Sequence, residues 1–199
     1  MSSAHVFQAL LESASGGPLP QWDELAEHID IRSLQSGDTV FLQGVVHPYV
    51  YAVRSGLLKL CYLAEDGVEW VKSFASEGRF FASIAALRPE GRTTFMVTAI
   101  EPSVLERVDH RMIADLAGRH LAWSSAVQGL TMAYAAGKEE RERDLLTLSA
   151  HDRYLSFCSE HPDLASRIPQ KDLARHLGVT PVGLNRIVMR VRRGGADAG

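Results

Sequence analysis

Ile168 to Arg193 reads IPQKDLARHLGVTPVGLNRIVMRVRR, and the rest of the chain takes its meaning from it. Pro169 suits the first turn of a helix, Leu173, Ala174 and Leu177 recur at helical spacing, and Gly178 suits the left-handed conformation that ends one. Thr180 can accept a hydrogen bond from the exposed N–H groups of a following helix, and Pro181 belongs at that helix's first position, where no N–H is needed. In this second helix Leu184, Ile187, Val188 and Val191 form one apolar stripe. The opposite face carries Val182, Arg186, Met189 and Arg193, flanked by Asn185 and Arg190. Two helices joined by such a turn have the geometry that lays the second in the DNA major groove while the first crosses the backbone. The candidate DNA contacts are therefore Thr180, Pro181, Val182, Asn185, Arg186, Met189, Arg190 and Arg193, with Gln170 and Lys171 on the first helix. The plainer reading is a helical hairpin whose arginines are a solvated face.

Charge favours the nucleic-acid reading. From Arg167 to Gly199 there are seven Lys/Arg against two Asp/Glu, a net of +5, whereas residues 1–150 hold 13 against 19, a net of −6. A basic end on an acidic body is the footprint of phosphate-backbone binding. With 199 residues and 46% hydrophobic content, the chain can bury real cores, and the charge asymmetry favours more than one domain. Cys61 and Cys158 are too few for a disulfide framework or a four-cysteine metal or iron–sulfur site. No basic-then-apolar signal pattern opens the chain, and no apolar run reaches the roughly 18 to 20 residues that span a bilayer. The expectation is a cytoplasmic protein with no membrane partner.

Residues 1–30 hold two short helical patterns around SGGPLP, with Trp22, Leu25, Ala26 and Ile29 on one face of the second. From Ile31 to Val108 short runs, among them TVFLQG, YVYAVRSG, LLKLCYL, EWVKSF, FMVTAI and SVLERV, are punctuated by Gly and Asp, as in an antiparallel barrel or jelly roll. Asp66-Gly67 signals a hairpin. Within this region GRFFASIAALRPEGRTTF, residues 78–95, lapses into a short helix and a Gly/Arg loop, a candidate effector cradle. Its lining would be Phe80, Phe81, Ser83, Ile84, Arg88, Arg92, Thr93 and Thr94. From Asp109 to Ser149 the pattern is helical, and Trp123, Val127, Leu130 and Tyr134 have the alternating spacing of a coiled-coil seam, on which two protomers could pair. The alternative is a helix packed on its own barrel. His151 to His161 reads as a further helix, halted by Pro162.

Barrel, long helix and helix-turn-helix in this order resemble the Crp/Fnr superfamily of bacterial regulators. SGDTVFLQGVVHPYVYAVRSGLLKL (36–60) and EDGVEWVKSFASEGRFFAS (65–83) resemble its sensor barrel, and HPDLASRIPQKDLARHLGVTPVGLNRI (161–187) its DNA-binding module, in the branch with a PQK…LGVTP pattern. The resemblance implies an α+β chain. Residues 1–108 would hold N-terminal helices and a cyclic-nucleotide-binding-like jelly roll, 109–149 a long dimerisation helix, and 150–199 an all-α helix-turn-helix domain. It implies a homodimeric transcriptional regulator, with operator DNA and RNA polymerase as partners and a small-molecule effector of unknown identity rather than a resident cofactor.

Three departures qualify the resemblance. The cassette glutamate that holds cyclic AMP falls at Ser83 and the cassette arginine near Thr93, with Arg92 one residue away, and a cyclic phosphate without those partners would be costly to desolvate, which argues against that effector. At the start of the reading helix the best-known members carry Arg and Glu where this chain has Pro181 and Val182, so only Arg186 matches a base-reading position, and the operator should differ. Third, the sequence runs about six residues past Arg193, in GGADAG, so most of the β-hairpin wing that usually follows is expected to be missing, and with it some phosphate contacts. A fumarate-nitrate-type cysteine cluster is absent, and His47 lacks companions for a cupin-type metal site. A scaffold that keeps the fold without reading DNA is the alternative function. A barrel enzyme has least support, because no nucleophile–base constellation, metal triad or phosphate loop stands out.

Overall fold

In the computed structural model, residues 5–196 are described. Two helices, α1 (Val6–Ser15) and α2 (Trp22–Ala26), precede eight strands: β1 (Asp30–Leu34), β2 (Thr39–Phe41), β3 (Tyr49–Ser55), β4 (Leu58–Leu63), β5 (Glu69–Ala75), β6 (Phe80–Phe81), β7 (Met96–Ala99) and β8 (Ser103–Asp109). A 3-10 turn, Ile84–Leu87, interrupts the strands where the sequence loses its alternation. Six helices follow: α3 (His110–Arg119), α4 (Leu121–Thr147), α5 (Ala150–Glu160), α6 (Pro162–Arg167), α7 (Gln170–His176) and α8 (Pro181–Ala196).

The strands make two four-stranded antiparallel sheets, β1-β8-β3-β6 and β2-β7-β4-β5, the expected jelly-roll barrel. Their facing side chains, among them Phe41, Tyr51, Leu60, Phe81, Phe95, Val97 and Leu105, fill the interior. The β4–β5 hairpin turns at the Asp66-Gly67 pair, with the Gly67 N–H donating to Ala64 O at 2.9 Å and Gly67 at φ +81°. Gly56 stands at φ +98° at the β3–β4 turn, and a Cβ there would lie 2.6 Å from Pro102 O, so no other residue fits without moving the strand beside it.

A second core lies outside the barrel. Phe7, Leu11, Leu25, Ile113, Leu116 and Trp123 close over Ala52 and Val108 from the outward face of β3 and β8. Beneath it Glu106, fully buried, accepts the Val6 and Phe7 N–H groups at 2.9 Å each and the Arg54 Nε–H at 2.7 Å. The first turn of α1 is thus capped by a carboxylate from the sheet.

The helical pattern after Asp109 is two helices rather than one. Asp109 caps α3 by accepting the Arg111 N–H at 2.9 Å, and the chain opens at His120, φ −136° and ψ 126°, before α4 begins. His120 bonds Gln21 there, and Trp123 Nε1–H donates to Pro20 O at 2.8 Å, so the break is imposed by the α1–α2 connection. Pro162 ends the α5 run and opens α6, the first-turn position in which its missing N–H is harmless. Among the described residues no helix is long and apolar enough to cross a membrane.

Gly56→Ala should lower stability by about 2–4 kcal/mol, the sum of a left-handed backbone and a clash with the Pro102–Ser103 chain. Denaturant unfolding monitored by tryptophan fluorescence checks this, with Gly67→Ala, whose Cβ meets nothing, showing the backbone contribution alone.

Candidate nucleic-acid interface and effector cavity

The C-terminal helices close on a third core of Phe157, Ile168, Leu173, Ala174, Leu177, Leu184 and Val188, joined by Leu57 from the barrel. The α7 helix starts after Pro169, whose carbonyl accepts the Asp172 and Leu173 N–H groups at 2.9 and 3.0 Å. It stops at Gly178, φ +71°. Thr180 Oγ1 accepts the Gly183 N–H at 3.0 Å and so caps α8, with Pro181 in the first turn. Of the stripe on α8, Leu184 and Val188 are buried and Ile187 and Val191 half-buried, and Ala174 is fully buried where the two helices meet.

This packing turns Thr180, Pro181, Val182, Asn185, Arg186, Met189, Arg190 and Arg193 outward, all exposed, and brings them onto one contiguous end and face of α8. Gln170 and Lys171 are exposed at the start of α7. Among the described residues Arg186, Arg190 and Arg193 form no ion pair. Such a face offers guanidinium groups to base edges or phosphates without first breaking an internal bond. The expectation of a missing wing bears on the last residues of the sequence, of which 197–199 lie outside the described ones.

The helix pair is docked on the barrel by charge. Lys59 Nζ donates to Glu69 at 2.7 Å and to Asp172 at 3.3 Å, and Arg175 reaches Glu69 at 3.0 Å. Arg167 bonds both Glu77 and Glu101, and its guanidinium holds the Glu77 carboxyl down to about 2. His176, on α7, lies between Phe74 and Phe157, and its carbonyl accepts from Arg141 at 2.8 Å. Burial, with the Arg141 charge beside it, drives its imidazole down to about 3.

The expected cradle in the barrel is occupied by its own side chains. Ser83, buried, accepts the Thr94 N–H at 3.2 Å, while Thr93, also buried, donates to Leu42 O at 2.6 Å and accepts the Val45 N–H at 3.0 Å. The two cassette positions thus hold backbone. Arg92 donates to Gly44 O at 3.0 Å, and Arg88 and Ile84 are exposed. Behind them Phe41, His47, Tyr51 and Phe81 stack, with His47 hydrogen-bonded to the Tyr51 hydroxyl at 2.9 Å. Burial lowers the His47 imidazole and pushes the Tyr51 phenol up to about 12, so both are neutral at pH 7. Among the described residues no cluster of three His, Cys, Asp or Glu could hold a metal.

The open space lies elsewhere. A cavity of about 800 Å³ separates β5 and β6 from α4 and from helices α5 to α7. Phe80 and Phe81 of the expected cradle line it; Ser83, Ile84, Arg88, Arg92, Thr93 and Thr94 do not. Lys72 of β5 lines it from the barrel, and Tyr134, Lys138 and Arg141 line it from α4. The sequence motifs do not single out these cations, although Lys138 and Arg141 lie four and seven residues past Tyr134, on the same side of the helix.

That seam does not face outward. Trp123 is fully buried and stacks on Trp22 at 6.1 Å, Val127 and Leu130 pack on the same core, and the Tyr134 hydroxyl accepts from Lys72 at 3.2 Å. The helix packed on its own N-terminal unit claims these four residues. The opposite face of α4 exposes Leu121, Met132 and Leu146.

Comparison with known proteins agrees with this build. Residues 31–120 match the cyclic nucleotide-binding domain family. The chain is 23% identical over 189 residues to the fumarate and nitrate reduction regulatory protein of Vibrio cholerae, covering 88% of this chain and 73% of that one. Among solved structures, FixK2 from Bradyrhizobium japonicum superposes with a TM-score of 0.74 at 18% identity, over 84% of this chain and 86% of the other. A CooA variant from Carboxydothermus hydrogenoformans gives 0.71 at 14% identity, over 94% and 85%.

The His176 environment has a pH consequence. A histidine neutral in the folded protein and protonated when unfolded contributes stability above pH 6.5 that is lost as pH falls from 6.5 towards 3. The loss should approach about 1.4 kcal/mol per pH unit at its steepest. Urea unfolding followed from pH 7 to 4 should show a shallower decline for His176→Gln than for the unsubstituted chain.

Proposed function

We propose that the chain is a Crp/Fnr-type protein, a homodimeric, DNA-binding transcriptional regulator whose α8 reads operator DNA. One observation carries the reading: a capped helix, anchored by Leu184 and Val188, presents Asn185, Arg186, Met189, Arg190 and Arg193 to solvent on a face without ion pairs among the described residues. Arg186, one turn into the helix, is placed for a bidentate contact to guanine, and Met189 for a thymine methyl. Lys171, Arg190 and Arg193 supply phosphate contacts, which set affinity and its salt dependence rather than sequence preference.

Two such helices meet DNA only if the chain pairs. The exposed Leu121, Met132 and Leu146 lie on the face of α4 turned away from its own barrel, and a second copy would cover them while spacing the reading helices for half-sites about one DNA turn apart. An effector shifts this system only by binding one arrangement of the helices more tightly than another.

Arg186→Ala should weaken binding to the selected operator by roughly ten- to hundredfold, the value of one bidentate base contact, while affinity for unrelated duplex changes little. Arg190→Ala should weaken both alike and flatten the salt slope by about one unit. Fluorescence anisotropy with labelled duplexes at two salt concentrations measures both. A chain that binds no duplex, or binds independently of these arginines, belongs to the scaffold reading. For pairing, Met132→Glu should raise the dimer dissociation constant by at least about tenfold, seen in sedimentation equilibrium as a shift to monomer with unchanged circular dichroism.

A further inference from the structure

We infer that the cavity between β5, α4 and the DNA-binding helices binds a small organic anion with a flat apolar body, its acidic group held by Lys72, Lys138 and Arg141. The inference deepens the reading of an effector-controlled regulator and rests on it for its biological role, but its chemistry stands on the cavity alone.

The three cations converge on one cavity without an ion-pair partner among the described residues. Lys72, only 7% exposed, points its ammonium over the Phe95 ring at 4.1 Å and donates to the Tyr134 hydroxyl at 3.2 Å. Lys138 lies 5.4 Å from the centre of the same Tyr134 ring. Arg141, half-buried a turn further along α4, bonds only the carbonyls of Val71 and His176 and the neutral His176 ring. Among the described residues no carboxylate lies within ion-pair distance of any of the three. Elsewhere in the chain the buried cations are matched: Arg54 by Glu106, Lys59 by Glu69 and Asp172, Arg167 by Glu77 and Glu101.

Gathering like charges in a partly dry cavity is unfavourable unless an anion enters. The strain is visible in Lys72, which burial and its neighbours Lys138 and Arg141 bring down to about 7, and in Lys138, also lowered by burial. A bound carboxylate or phosphate would hold Lys72 in its charged form and gain charge-assisted hydrogen bonds. Leu60, Phe74, Phe81, Leu130 and Ala133 give the cavity an apolar and aromatic wall near the three cations, while Glu77, Glu160 and Asp163 line it towards α5 and α6, and a volume near 800 Å³ suits a ring-bearing molecule of a few hundred daltons. Arg141 also bonds His176 on α7, so the anion would share a ligand with the docked helix pair.

The test uses the full chain without DNA, and two probe pairs that differ in charge: adenosine 5′-monophosphate against adenosine, and benzoate against benzamide. Thermal unfolding and isothermal titration calorimetry should register at least one of the anions at millimolar concentration and neither neutral partner. Lys138→Gln should weaken the anion about tenfold. Lys72→Met should abolish binding while raising the melting temperature of the free chain, which separates a lost site from a lost fold. The inference is overturned if the neutral partners act as strongly as the anions, if none of the four binds, or if both variants bind as the unsubstituted chain does. Because no DNA is present, a failure here is distinguishable from a failure of operator binding.

Discussion

Glu106 holds the molecule's order of assembly. It belongs to a strand whose outward face would be solvated in an isolated barrel, and it is completely buried because α1 lies across it. Two backbone N–H groups, the Arg54 guanidinium and the His5 ring meet its two oxygens. Taking the carboxylate away would leave those donors facing a dry interface. With α1 fixed, α4 has only one seat: Gly129 passes so close to Ala14 that a Cβ would lie 2.9 Å from its carbonyl oxygen. The rest of α4 then runs along β5, carrying Tyr134, Lys138 and Arg141 to the cavity and meeting α7 at His176.

The same line explains why the helix-turn-helix is part of the barrel's surface rather than a separate bead. Leu57, from the barrel, sits in the core of the C-terminal helices with Phe74 and Ile100 beside it. Around that apolar contact lie the bonds of Asp172 and Arg175 to β4 and β5 and of Arg167 to Glu77 and Glu101. The Arg167 and Arg175 pairs are partly exposed, so each contributes little alone, whereas the Lys59–Asp172 pair is largely buried; together they fix the register of the docking, while Leu57 and Phe157 supply the burial. A ligand between α4 and β5 would act on this docked arrangement through Arg141 and its bond to His176.

Much of this is legible in the sequence where the signal is local. Thr180-Pro181, Gly178 and the Leu184–Val188 stripe define α7 and α8 because caps and helical periodicity are short-range, and Asp66-Gly67 defines the β4–β5 hairpin for the same reason. The seam Trp123–Val127–Leu130–Tyr134 is a real apolar face, but periodicity names a face and not its partner: the core under α1 and α2 takes the first three residues and Lys72 of β5 bonds the fourth. The break at His120 carries no Pro, because it is set by Gln21 and Pro20, about a hundred residues away in sequence. Glu106 reads as an ordinary outward strand residue, since nothing local shows what covers the sheet. Ser83 and Thr93 stand out as departures, yet a sequence cannot show that their hydroxyls are spent on Thr94, Leu42 and Val45. Lys138 and Arg141 hide in a charged run that reads as solvated, although their spacing from Tyr134 puts them on the buried side.

A regulator of this build requires α8 to enter the major groove as one of a symmetric pair. Selection of binding sites from a random duplex pool by the purified chain, repeated at low and moderate salt, addresses this without presupposing an operator. It should enrich a two-fold symmetric sequence with half-sites about one helical turn apart and a guanine in each half. Binding that enriches no sequence and vanishes steeply with salt would contradict it.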